Sequence, residues 1–155
     1  MLRVAHASHT GTLYLVDLRP PEGIIELVRD TQLETCTTAD RIVFWFTRST
    51  NRAFTRPNAT ATELLLATTE FTARDVPILR GNIVITGRDG AGEPAALTTH
   101  QLDILKHPLL SPRQKHTLQR RFARDLRIQR RQAIAENAEA IRRAQQPWTN
   151  PRPPT

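Results

Sequence analysis

The run from Arg113 to Gln146 contains neither glycine nor proline, and this constrains the fold more than any other feature of the chain. It opens with a helix-start signature. Ser111 can cap a free amide, Pro112 suits the first helical position, and Gln114 at the third can reach back to the cap. Pro147, Pro151, Pro153 and Pro154 then forbid continuation. The sequence therefore predicts one long helix from Ser111 to Gln145, followed by a disordered or extended proline-rich tail over residues 147–155.

Charge is concentrated on the same segment. Residues 1–105 hold ten Arg against twelve acids, whereas residues 106–155 hold twelve Lys plus Arg against three acids. Twenty of the twenty-two basic residues are Arg, which GC-rich coding can favour, but coding bias does not gather charge at one end. A nearly neutral body with a strongly basic appendage suits a polyanionic partner.

Helical geometry sharpens the point. Measured from Arg120 at about 100° per residue, Arg113, Arg124, Arg127 and Arg131 fall near 20°, 40°, 340° and 20°. Leu118, Phe122, Leu126 and Ala133 fall on the other side, at roughly 160–240°. A stripe of guanidinium groups thus opposes an apolar seam suited to docking. Five like charges on one face repel, and an anion relieves them. The expected contact is the phosphate backbone of DNA or RNA, ribosomal RNA included, through Arg113, Arg120, Arg124, Arg127 and Arg131. A plain solvated charged face is the competing reading. No residue resembles a base reader, so binding is expected to be largely independent of sequence.

Further along, Ile134, Ala138 and Ile141 cross to about 320°, 0° and 300°. One straight helix cannot bury both seams against one domain, so either it bends near Gln132 or the second seam meets another chain. Ile134, Ile141 and the tail's Trp148 are the candidate protein contacts.

The body reads as α+β: a small sheet of about three or more strands with packed helices. Strands are predicted at Thr12–Leu18, Arg41–Thr47 and Arg80–Gly87 from their β-branched and aromatic content. Pro21 and Glu22 open a helix bearing Ile24, Ile25, Leu27 and Val28, with Gly23 weakening it. Thr60 and Glu63 suggest a capping box ahead of Leu64–Leu66. Thr98 to Lys106 reads as a helix turning Leu102 and Leu105 inward. Residues 1–107 form the expected domain and 108–146 the basic helical extension.

The strand with Trp45, the segment Asn58-Ala59-Thr60-Ala61-Thr62-Glu63-Leu64-Leu65, and the strand Gly81–Gly87 with Asp89 and Gly92 follow in that order. In this, residues 11–105 resemble a small domain family of phages, actinobacterial plasmids and their hosts whose function is unassigned. The resemblance implies an accessory role of the mobile-element kind and supplies no catalytic residues.

The residues point away from catalysis. Arg88-Asp89-Gly90-Ala91-Gly92-Glu93 lacks the Gly-Lys-Ser/Thr of a phosphate loop and reads as a turn. His6 and His9 have no Cys or acidic cluster to complete a metal site and read as part of a flexible N-terminus. Cys36 stands alone without a nearby His, which argues against a nucleophile and for the cytoplasm. No apolar run is long enough to span a bilayer. The expectation is a non-catalytic protein without cofactor or metal that binds nucleic acid. The alternative is a protein-interaction module or inhibitor of a host machine, working through the helix and tail.

Overall fold

The computed structural model describes residues 1–47 and 56–146. Its elements, in chain order, are β1 (Leu2–Ala7), β2 (Leu13–Leu18), α1 (Glu22–Val28), β3 (Leu33–Thr37), β4 (Val43–Thr47), α2 (Ala59–Thr68), β5 (Ile83–Arg88), β6 (Pro94–Ala95), α3 (Thr99–Lys106) and α4 (Pro112–Gln145). The predicted tail, with Trp148, lies outside the described residues.

The strands form one antiparallel sheet in the order β2-β1-β5-β4-β3, with β6 pairing the far end of β5. Two hairpins, β1–β2 and β3–β4, are thus joined by a later strand inserted between them. That strand earns its place by composition: Ile83, Val84 and Ile85 are all fully buried, as expected of a strand covered on both faces.

Period-two alternation assigns the faces. Val4, Leu18 and Val84 pack with Ile24 and Val28 of α1 on one side. Ala5, Ala7, Ile83, Ile85 and Phe44 pack on the other, in one cluster with residues of α2, α3 and α4. Gly23 has a packing role in α1, because a Cβ there would come within 2.8 Å of the Leu18 Cβ. The helix accepts the lower propensity of glycine to lie close against β2.

Two expectations are corrected. The N-terminus is not a flexible tail: Leu2–Ala7 is an inner strand, paired with both β2 and β5. The α2 cap is Asn58 rather than Thr60. Its Oδ1 accepts from the Ala61 amide at 3.0 Å, while Nδ2 lies 3.0, 3.1 and 2.8 Å from the carbonyls of Ala7, Ser8 and Gly81. Buried Asn58 therefore ties the start of α2 to the end of β1 and the approach to β5. Glu63 has no part in that cap.

The remaining helix ends follow the sequence closely. Thr98 and Gln101 form a capping box on α3, and Ser111 and Gln114 form one on α4 with Pro112 at the first turn. Leu105 is buried and Leu102 packs beside it. Asp89 Oδ1 accepts from the amides of Ala91 and Glu93, making the expected turn between β5 and β6.

Candidate nucleic-acid interface

The long helix α4 begins as part of the domain. Leu118 is 0% exposed within the main core cluster, and Phe122 packs against the same cluster. Arg121 donates to the Ala73 carbonyl at 2.9 Å, fastening the helix to the segment that follows α2. Asp125 accepts two hydrogen bonds from the Arg80 guanidinium, at 2.9 and 2.7 Å. These four residues set which way the helix faces. Leu118, Phe122 and Asp125 share the side near 160–200°, or about 140° for Asp125.

The predicted stripe lies opposite. Arg113, Arg120, Arg124, Arg127 and Arg131 are all exposed, on the side of the helix opposite Leu118 and Phe122. Between Pro112 and Ala135 the helix carries eight cations and one acid, and that acid is Asp125, engaged with Arg80. Like charges stand four apart at Arg120/Arg124 and Arg127/Arg131, and three apart at Arg124/Arg127. Each such pair costs an isolated helix a few tenths of a kcal/mol.

Sequence periodicity overlooked one contributor. A groove of about 360 Å³ runs along α4, and Arg74 lines it together with Arg120, Arg121, Arg124 and Arg127. Arg74 belongs to no periodic element, so no pattern in the sequence could mark it. It sits in a turn in which Asp75 accepts from both the amide and the hydroxyl of Thr72, at 2.6 and 2.7 Å. These bonds hold the Asp75 carboxyl below its usual range, with Arg121 adding to the effect.

The second seam is also visible. The helix continues without interruption across Gln132 to Gln145, so the change of apolar side is not accompanied by a break. Ile134 and Ile141 are 63% and 57% exposed. Arg142 and Arg143 on this last stretch both pair with Glu139, at 3.1 and 3.2 Å.

Burial pushes the Cys36 thiol up, away from thiolate reactivity. His6 sits in β1, with its ring 6.2 Å from that of Tyr14, and burial pushes its pKa down. Among the described residues no three His, Cys, Asp or Glu side chains gather as a metal site, and no helix is long and apolar enough to cross a membrane. No family model matches this chain, and comparison with curated proteins and with solved structures likewise finds no match.

Proposed function

We propose that this protein is a non-catalytic, nucleic-acid-associated accessory protein that holds α4 against phosphates. One observation carries the reading: the face of α4 opposite its docked seam bears five exposed arginines, and the one acid between Pro112 and Ala135 is turned toward Arg80. Docking through Leu118 and Phe122 fixes the orientation of that face before any ligand arrives. A preoriented stripe loses less side-chain and helix entropy on binding than a disordered basic tail. Binding is to backbone, hence to DNA or RNA of any sequence. The mobile-element setting rests on the family resemblance, and the cytoplasmic location on the lone Cys36.

The test is a salt titration of binding to a labelled mixed-sequence duplex. With about five phosphate contacts, the log–log slope is on the order of −4 to −5 for DNA. Alanine at Arg120, Arg124, Arg127 or Arg131 lowers its magnitude by about one each. Absence of binding at low salt, or indifference to all four substitutions, overturns the proposal.

A second reading has its own observation in the exposed Ile134 and Ile141 on the distal part of α4. There the protein is an interaction module or inhibitor of a host machine, with Trp148 as a further contact. Retention of partner binding after all the stripe arginines are neutralised, and its loss in Ile134→Asp, would favour it.

A further inference from the structure

The groove beside α4 differs from a helix face in having a second wall. That wall is the turn Thr72–Asp75, and the cation it contributes is Arg74. Thr72 closes the turn from both ends, accepting from the amides of Asp75 and Val76 at 3.2 and 2.9 Å while donating to the Asp75 carboxylate. Arg121 clamps the turn to the helix through the Ala73 carbonyl. The position of Arg74 is therefore set by hydrogen bonds on either side of it, not by a free loop.

The lining has the chemistry of an anion site throughout. It comprises the five guanidinium-bearing residues already named, with Thr117 and Ala123 as the small remainder. Among the described residues no carboxylate lines it. The two acids adjacent in sequence to lining arginines are engaged elsewhere, Asp75 with Thr72 and Asp125 with Arg80. From Thr117 to Arg127 the groove follows the helix for about 15 Å at 1.5 Å per residue. A single phosphate or carboxylate would occupy a fraction of that length, whereas a chain of phosphates engages cations spread along it.

From this we infer that the groove seats one phosphodiester strand, gripped between Arg74 on the domain and Arg120, Arg124 and Arg127 on the helix. The inference rests on the nucleic-acid reading of α4 and goes past it. The binding surface is a cleft with a wall from each part of the protein, and Arg113 and Arg131, which do not line the cleft, meet phosphates beyond its ends. Sequence independence follows from the same chemistry, since every strand offers the same backbone.

The experiment measures binding of labelled mixed-sequence duplex DNA, duplex RNA and single-stranded RNA to the full chain. It compares Arg74→Ala, Arg113→Ala, Arg124→Ala and the control Arg19→Ala, an exposed arginine in the loop between β2 and α1. Arg74 lies on an exposed turn, so its replacement leaves the fold intact, which a melting curve verifies. The expected result is a roughly tenfold loss at low salt for Arg74→Ala, matching one charge-assisted contact, and a salt slope smaller by about one. Arg124→Ala should match it, Arg113→Ala should lose less, and Arg19→Ala should be unchanged. The three probes identify which form of strand the cleft accepts best. If Arg74→Ala is as silent as Arg19→Ala while Arg124→Ala weakens binding, the cleft is overturned and the helix stripe stands. If both are silent on every probe, the nucleic-acid reading falls with it.

Discussion

Arg80 and Asp125 meet side by side, each guanidinium nitrogen on its own carboxylate oxygen, and so join the entry to the central strand to the middle of the long helix. The hydrogen bond to Asp125 is the main force holding Arg80 in its charged form, against a desolvation that opposes it. Solvent still reaches both side chains, which are 34% and 18% exposed. The pair is therefore worth less than a buried bidentate bridge. Asp125→Asn should destabilise the fold by on the order of 1 kcal/mol and increase amide exchange in α4 beyond Phe122. Unchanged exchange there would show that Leu118 and Phe122 hold the helix by themselves.

Leu118 anchors that helix in the core. Its replacement by alanine removes a fully buried side chain and should cost about 3 kcal/mol, within the range for such truncations. Chemical denaturation with an unaltered m-value would give this directly. A loss below roughly 1 kcal/mol would mean that α4 contributes little to the core.

Asn58 offers a sharper test, because its two ends have opposite tasks. Asn58→Asp keeps the acceptor for the Ala61 amide but turns a second acceptor toward the carbonyls of Ala7, Ser8 and Gly81. A cap alone is worth about 1 kcal/mol, so an aspartate should restore stability if capping were the whole role. The expected outcome is that Asn58→Asp is no more stable than Asn58→Ala, both falling by about 2–4 kcal/mol. Near-native melting of Asn58→Asp would contradict this account of the residue.

The burial of His6 predicts a pH dependence. Desolvation depresses its folded pKa, His9 and Arg29 act in the same sense, and nearby Asn82 opposes them. The unfolded chain then binds the proton more readily. The contribution of His6 is fully present above about pH 6.5, its unfolded value, and is lost as pH falls through the folded value. His6→Phe, which cannot titrate, should show a smaller drop in melting temperature between pH 7.5 and pH 5.5 than the parent. Equal drops would assign the acid sensitivity to other groups. The carboxyls of Asp17, Asp30 and Asp75, all held low by hydrogen bonds, act only at more acidic pH.

On the distal part of α4, charge is already compensated within the helix. Arg142 and Arg143 share Glu139, so alanine at either should change the salt slope of binding by well under the full unit expected from Arg120, Arg124 or Arg127. A full unit lost at Arg142 would extend the phosphate surface to the distal third of α4.

Legibility in the sequence followed the strength of the local signal. The helix α4 was plain because Ser111, Pro112 and Gln114 mark its start and nothing interrupts it afterward. Central β5 was plain because Ile83, Val84 and Ile85 are apolar on both faces. In β1, by contrast, Ala5 and Ala7 are small because they fill the cluster shared with Ala61, Leu64 and Leu65, and alanine carries little strand propensity. Edge strand β3, with Thr35, Cys36 and Thr37, was equally muted. The arginine stripe could be read from the helical period alone. Arg74 could not, since its relation to Arg120 and Arg124 exists only once the turn after α2 lies beside α4.

The insertion of β5 between two earlier hairpins has a consequence for a chain emerging from the ribosome. β1–β2 and β3–β4 are complete once Thr47 has been made, yet the strand that joins them begins at Ile83. At about 5–20 residues per second, adding the segment through Arg88 takes roughly two to eight seconds. During that interval both hairpins carry an unpaired inner edge, and α1 has only part of its apolar floor. The sheet can close only after its last long strand is delivered, and α4 can settle only after that. Assembly of this fold is therefore ordered by synthesis: halves first, their common partner next, and the basic helix last of all.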